Sequence, residues 1–364
     1  MPELSESAVR ELLDQYPDPE TGRPMGTMGQ IVSSQVSGQS IRAQIGLSTH
    51  SRPIADDVRD AIESKLVAAF PGSSVELTFQ DHPRPPARVG QTALRAKSVI
   101  AVGSGKGGVG KSTVAASIAL TLRRLGSKVG LMDADVYGPS IPHLLGLQGR
   151  PGISESKRID PILLDDDPNL FPMPVMSMGF LVDPSEAVIW RGPMLHGSIN
   201  QFLGMTDWGE LDYLLIDMPP GTGDVALTLS QAIPLAGSVV VCTPQEVALL
   251  DAVKAAAMFR KVNIPILGMV ENMSGFLCPD CGKTYDIFGK GGARAKAEEL
   301  DLPYLGGLPI DMKLRVAGDE GRLSSLLNQD DAARAPLDAI TQAIVRQLAA
   351  RSVSAPTKPS LPTL

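Results

Sequence analysis

The run Gly105-Lys106-Gly107-Gly108-Val109-Gly110-Lys111-Ser112 limits what this chain can fold into more than any other feature. It satisfies G-x-x-x-x-G-K-[ST], with an apolar strand pattern at 98–102 before it and a helical pattern at 112–125 after it. Glycines let the backbone wind closely enough to aim its N–H groups at phosphate oxygens, and the following helix adds its positive end. In that context Lys111 holds β- and γ-phosphates and Ser112 ligates Mg²⁺. A Gly-rich turn that binds nothing would not need this strand and helix.

Short apolar strands then alternate with helical patterns: strands near 98–102, 128–132, 211–216, 238–242, 264–271 and 304–308, and helices near 112–125, 224–233, 246–260 and 336–349. The alternation predicts an α/β fold with a doubly wound, mostly parallel sheet, the frame of a P-loop NTPase. Residues 1–80 read as a small N-terminal α+β domain. Val9, Leu12, Leu13 and Tyr16 share a helix face, strand patterns follow around 31–36 and 41–47, Ile54, Val58, Ile62 and Leu66 mark a second helix, and Val75, Leu77 and Phe79 alternate as a strand. The Pro-rich, aperiodic stretch 81–97 is a linker, 98–351 the ATPase domain, and 352–364, with Pro356, Pro359 and Pro362, a disordered tail.

The 364 residues suffice for one large and one small domain. A net charge of −7 and 4% aromatic residues leave neither a basic face for phosphate backbones nor stacking platforms for bases, so no nucleic-acid partner is expected. The first twelve residues lack a basic, apolar leader pattern, and no apolar run approaches the roughly 20 residues of a membrane span. The protein is expected to be cytoplasmic, without a membrane partner.

Two further strand ends carry acid: Asp133-Ala134-Asp135 and Asp217-Met218-Pro219-Pro220-Gly221-Thr222-Gly223. In an open parallel sheet the ligand crevice lies beyond the carboxyl ends of the strands, so these groups can converge on the phosphate loop. Asp217 fits the role of holding Mg²⁺ through water, in a loop whose Gly221 and Gly223 allow it to change conformation. Asp133 suits either assistance at the metal or a turn and helix cap.

Only three cysteines are present, too few for a disulfide framework. Cys242 sits in an apolar strand as a small core residue. Cys278-Pro279-Asp280-Cys281-Gly282 follows a strand ending at 271–274, and two intervening residues let both sulfurs meet one metal centre. One pair supplies two of four ligands, so a tetrathiolate site requires a second copy of the chain, as a two-fold axis provides. A bridging four-iron cluster, a bridging structural zinc and a redox dithiol all fit the spacing alone. His50, His82, His143 and His196 share no ligand spacing.

The added lysine in Lys106-Gly107-Gly108-Val109-Gly110-Lys111-Ser112 resembles the deviant Walker A ATPases. The ordered set GKGGVGKST, DADVYGPS, DMPPGTGD, VENMS and CPDCG, continued by Asp286-Ile287-Phe288-Gly289, closely resembles the Mrp/ApbC family of iron-sulfur cluster carrier ATPases over about 98–350. Residues 1–80, through Asp18-Pro19-Glu20-Thr21-Gly22, resemble the small domain often fused to these ATPases and found alone in other cluster-assembly factors.

The resemblance implies ATP and Mg²⁺ bound in a nucleotide-sandwich homodimer. Its nucleotide-binding set is Gly105, Lys106, Gly107, Gly108, Val109, Gly110, Lys111, Ser112 and Thr113, with Asn272 at an adenine-contacting position; read alone, Asn272 suits a turn and Lys106 a solvated charge. It implies catalytic roles for Lys106, Lys111, Asp135 and Asp217, with Asp135 orienting the attacking water, and Mg²⁺ held by Ser112, Asp133 and Asp217. It also implies a [4Fe-4S] cluster bridging two subunits through Cys278 and Cys281, handed to apo iron-sulfur proteins. A MinD- or ParA-like positioning ATPase would want a basic amphipathic terminal helix or a basic DNA-binding face, and a tyrosine kinase of the superfamily a C-terminal tyrosine cluster. Neither pattern is in the sequence, whose last tyrosine is Tyr304.

Overall fold

A computed structural model describes residues 3–181, 192–221 and 223–356, with backbone alone at Gly192 and Pro193. Thr222 of the second acidic loop and the tail prolines Pro359 and Pro362 lie outside the described residues. The chain divides into two compact units, Met1–Pro85 with Val345–Leu364, and Pro86–Ile344.

The first unit runs α1 (Glu6–Asp14), β1 (Ile31–Ser37), β2 (Ser40–Leu47), α2 (Ala55–Ala69) and β3 (Ser74–Asp81). This is the helix–hairpin–helix–strand order that the periodicity predicts. The hydroxyl of Ser5 caps α1 by accepting from the Ala8 N–H at 3.2 Å. Gly38, at φ 60°, closes the antiparallel β1–β2 hairpin, while α2 carries the chain back so that β3 runs parallel to β2. Val9, Leu13, Ile41, Ile45, Ile62 and Leu66 are each fully buried, and such side chains contribute about 1.5–3 kcal/mol apiece. Beside this core, Asp18 accepts from the Thr21 N–H and hydroxyl, from Gln30 Nε2 and from Arg84 Nη2, and Arg84 also pairs with Glu20.

The second unit continues with β4 (Arg95–Gly103), α3 (Lys111–Arg124), β5 (Val129–Asp133), α4 (Ile141–Leu145), β6 (Gly152–Ile153), β7 (Ile159–Asp160), β8 (Ile162–Leu164), β9 (Met173–Ser177), α5 (Gly192–Met205), β10 (Glu210–Asp217) and α6 (Gly223–Ala232). It ends with β11 (Gly237–Cys242), α7 (Glu246–Lys261), β12 (Ile266–Leu277), β13 (Thr284–Tyr285), α8 (Gly292–Glu299), β14 (Tyr304–Ile310), α9 (Met312–Asp319), α10 (Leu323–Gln329) and α11 (Asp331–Ser354), whose last residues group with the first unit.

The main sheet has the order β13-β12-β11-β4-β10-β5-β9-β8, and β14 also pairs with β12. Its interior pairings are parallel; only β8 and β13 join antiparallel. Val99 and Ala101 of β4 and Leu214 and Ile216 of β10 lie in one buried cluster with side chains of α5, α6, α7 and α8. The alternate residues Ile100, Val102 and Leu215 are buried on the other face, where α3 packs. Because β10 lies between β4 and β5, with β11 on the far side of β4, the strand order reverses beside β4. The phosphate loop leaves the sheet there.

Besides elements that the periodicity passed over, among them α5, α8, α9 and α10, three details differ from the sequence reading. β4 begins at Arg95, inside the expected linker, because Ala96 is buried and pairs with Leu211. The fully buried β9 was not anticipated: Pro174 interrupts its apolar run, yet its neighbours β5 and β8 supply its ladder. The last helix spans Asp331–Ser354 instead of 336–349, accommodating Pro336 within it and taking in Ser352, which the sequence assigned to the tail.

Candidate nucleotide and cysteine sites

The phosphate loop leaves β4 after Gly103 and enters α3 at Lys111, with Gly108 at φ 80° and Gly110 at φ 77°. Neighbours enforce glycine as much as backbone does. A Cβ on Gly105 would lie 1.9 Å from the Asp251 carbonyl oxygen of α7, and one on Gly110 would lie 2.2 Å from Asn272 Nδ2. The loop borders a cavity of about 250 Å³ lined by Ser104, Lys106, Gly107, Gly108, Gly110, Lys111, Ser112, Thr113, Asp135, Gly138, Ser140 and Pro220. Lys106 is half-buried, and its carbonyl accepts from the Ser104 hydroxyl at 2.9 Å. Val109 is buried.

Parallel register places the carboxylates. Asp217 of β10 is aligned with Asp133 of β5 on one side and Val102 of β4 on the other. Lys111 Nζ donates to Asp217 Oδ1 at 2.6 Å and to Ser112 Oγ at 3.2 Å, and lies 3.5 Å from Asp135 Oδ2. Lys111, Ser112, Asp135 and Asp217 therefore form one cluster. Burial raises the Asp217 carboxyl above its ordinary range, against the opposing pull of Lys111. Its Oδ2 is buried with no hydrogen-bond partner among the described residues. An orphaned carboxylate oxygen beside the Ser112 hydroxyl is a hard-oxygen donor set that suits Mg²⁺.

Asp133, expected at the metal, is turned to its own loop. Oδ1 accepts from the Asp135 N–H at 3.0 Å, and Oδ2 accepts from the Ile141 N–H at 3.2 Å and the Ser177 hydroxyl at 2.9 Å. Burial, with the Asp217 charge adding to it, pushes its carboxyl up to about 8. With both oxygens occupied, its geometry is that of a loop organiser, the cap reading that the sequence left open. Asn272 also takes a part that sequence did not single out: its Nδ2 donates to the Val109 carbonyl at 2.8 Å and so braces the phosphate loop.

The cysteine pair sits at the edge of the sheet. Phe276 and Leu277 pair with Tyr285 and Thr284, the Cys278 N–H donates to the Lys283 carbonyl at 3.0 Å, and the Gly282 N–H donates to the Cys278 carbonyl at 2.9 Å, with Gly282 at φ 68°. This tight knuckle turns the N–H groups of Cys281 and Asp280 toward the Cys278 sulfur, which holds that thiol below the usual cysteine range. Cys278 is half-buried and Cys281 exposed, and Leu277, Tyr285 and Ile287, close by in sequence, are exposed as well. Among the described residues no three His, Cys, Asp or Glu side chains converge on a metal-sized site, so the knuckle offers two thiols per chain. Cys242 is buried between strands, and burial, aided by Glu271, pushes its thiol up to about 12.

Residues 95–345 match the NUBPL iron-transfer P-loop NTPase family of the ParA group, and residues 6–78 match an iron-sulfur cluster assembly protein domain. The chain belongs to the NUBPL iron-transfer P-loop NTPase family. It is 42% identical over 349 residues to an iron-sulfur cluster carrier protein of Deinococcus radiodurans, spanning 95% of this chain and 97% of that one. It is 51% identical over 228 residues to the mouse iron-sulfur cluster transfer protein NUBPL, covering 62% of this chain and 70% of the mouse protein. Among solved structures, an ADP-bound nucleotide-binding protein of Archaeoglobus fulgidus is 43% identical with a TM-score of 0.55, covering 63% of this chain and 88% of that one. No helix among the described residues is long and apolar enough to cross a membrane.

Two further contacts at the phosphate site, besides that of Asn272, escaped the sequence reading. Ser177, which holds Asp133, lies on the unanticipated β9, and its only sequence signal is the short Met173–Ser177 run. Asp251 approaches Gly105 through its backbone, which leaves no side-chain signature.

Proposed function

We propose that this chain is a cytoplasmic ATPase that works as a homodimer and carries a [4Fe-4S] cluster between paired Cys278 and Cys281 for delivery to apo-proteins. The observation that carries the reading is an exposed two-thiol knuckle on the same sheet as a formed phosphate site. Two thiols meet half the ligand demand of such a cluster, and a two-fold axis beside the knuckle supplies the rest. Lys106, which lines the cavity, contacts a nucleotide held by the partner subunit.

Within one chain the loop amides and the α3 N-terminus bind ATP phosphates, and Lys111 turns from Asp217 to the β- and γ-phosphates. Ser112 and the freed Asp217 would hold Mg²⁺, which neutralises phosphate charge. Asp135 orients the attacking water, with Asp133 fixing its backbone. Asn272 braces the loop, and the small N-terminal domain associates with other cluster-assembly factors.

The test is anaerobic purification and reconstitution, with iron, sulfide and zinc measured and the product offered to an apo-acceptor with and without ATP. About one four-iron cluster per two chains, transferable to the acceptor, is expected. Stoichiometric zinc with no iron uptake, or a cluster-bearing monomer by light scattering, would overturn the carrier reading. Asp217→Asn should weaken the Mg²⁺ dependence of turnover, and an unchanged metal titration would remove Asp217 from the metal.

A further inference from the structure

β12 passes both sites, and it is irregular between them. Asn272 is aligned with Leu308 of β14 and Phe276 with Ile310, so four steps along β12 oppose two along β14. Inside this bulge Met273 adopts φ 59°, a left-handed conformation that side chains with a Cβ avoid. The same two residues touch the phosphate loop: Asn272 Nδ2 holds the Val109 carbonyl, and Met273 Cε lies 3.9 Å from where a Cβ on Gly110 would stand. Beyond the bulge the strand pairs with β13 and ends at the Cys278 knuckle.

Before the bulge β12 is anchored. Cys242 of β11 is aligned with Glu271, whose buried carboxylate accepts from the Ala293 N–H at 2.8 Å and so fixes the start of α8, where the chain returns from the knuckle. A displacement that begins at Asn272 meets a fixed ladder on one side. On the other side lie an off-register segment and a two-residue edge pairing. Cys278 is six residues beyond Asn272, about 20 Å at the rise of a strand.

We propose that the Asn272–Met273 bulge of β12 is the hinge through which the state of the phosphate loop sets the conformation of the Cys278–Cys281 knuckle. The inference rests on the two sites having the roles assigned above. Nucleotide phosphates draw the loop amides toward them, the Val109 peptide moves with them, and Asn272 transmits the shift to Met273. Met273 exchanges between its left-handed conformation and the extended one, and the strand beyond it re-aims the cysteine loop.

The experiment uses the full, cluster-free chain. The rates at which iodoacetamide modifies Cys278 and Cys281 are followed by mass spectrometry, without nucleotide and with Mg²⁺ and a non-hydrolysable ATP analogue. The wild-type rates should differ between the two states by about five-fold or more, the usual lower range of coupling between sites. Met273→Gly removes the conformational preference at the hinge and should reduce the difference to less than about two-fold. The rates are compared at saturating analogue, so that the lost contact of Met273 with the loop does not enter the ratio. Met273→Leu, with a Cβ and a similar apolar reach, should keep the coupling. An undiminished ratio in Met273→Gly would overturn the hinge. So would identical wild-type rates in a chain that binds the analogue and reconstitutes its cluster, and that result would leave the carrier reading standing. A chain that takes up no iron but still shows the coupled rates would do the reverse.

Discussion

The phosphate loop and the cysteine knuckle occupy one sheet, yet they are finished to different degrees. The loop is wrapped: α7 lies against Gly105, Asn272 against Gly110, and Lys111 reaches Asp217 at the end of β10 and Asp135 in the loop after β5. The knuckle is held by one backbone turn and a two-residue strand, with its sulfurs near the surface. Most of the groups around the phosphate loop come from one chain, whereas the knuckle offers two thiols and is left open. The contrast predicts that damage to the loop propagates and that damage to the knuckle stays local.

The largest effects should come from removing the group central to each site. Lys111→Ala should lower ATP turnover by about 100-fold or more, because the developing phosphate charge loses its main counter-ion; normal turnover in purified protein would remove the assignment. Cys278→Ser or Cys281→Ser should abolish the cluster's visible absorption while ATP affinity and thermal stability hold. A marked fall in melting temperature would instead identify a structural metal, whose ligands contribute directly to folding.

Smaller effects sharpen the comparison within the loop itself. Gly110→Ala meets Asn272 as well as an adverse φ, whereas Gly108→Ala meets nothing within 4 Å. The Gly108 variant should lose about 1–2 kcal/mol of stability from backbone conformation alone, and the Gly110 variant more. Equal losses in denaturant titrations would mean that Asn272 does not brace the loop. At the knuckle, the lowered Cys278 thiol forms thiolate at a lower pH than an ordinary cysteine, so its alkylation should rise earlier on a pH titration. Cys242, pushed up to about 12 and buried, should stay unlabelled until the chain unfolds.

The smallest effect on either activity is expected from Arg84→Ala. It leaves the Asp18 and Glu20 carboxylates buried without their cation and should destabilise the N-terminal unit by about 3 kcal/mol. ATP turnover and cluster content should not change, since neither site draws a residue from that unit. A loss of either would tie the N-terminal domain to the chemistry.

What the sequence made legible follows the same division. The doubly wound sheet, the phosphate loop and the strand-end acids can be read because each depends on a local pattern: an apolar run, glycines at fixed spacing, an acid at a strand end. The knuckle was legible for the same reason. The role of Asp133 was not, since its choice between metal and loop depends on Ser177, which arrives on a strand whose apolar run Pro174 interrupts. Nor was the bracing by Asn272, which joins residues 163 positions apart, or the left-handed Met273, whose conformation no residue type announces.

The nucleotide cradle and the knuckle also differ in when they can form. The knuckle closes between Cys278 and Lys283, a loop short enough to close within microseconds. The nucleotide cradle needs Lys111 to find Asp217 across 106 residues and Val109 to find Asn272 across 163. Contacts of such separation come late in folding, because long loops must close before they are rewarded. The cysteine turn is therefore expected to close before the nucleotide cradle in an emerging chain. Pulse-labelling of amides during refolding should show Cys278 and Gly282 protected ahead of the Asp217 strand.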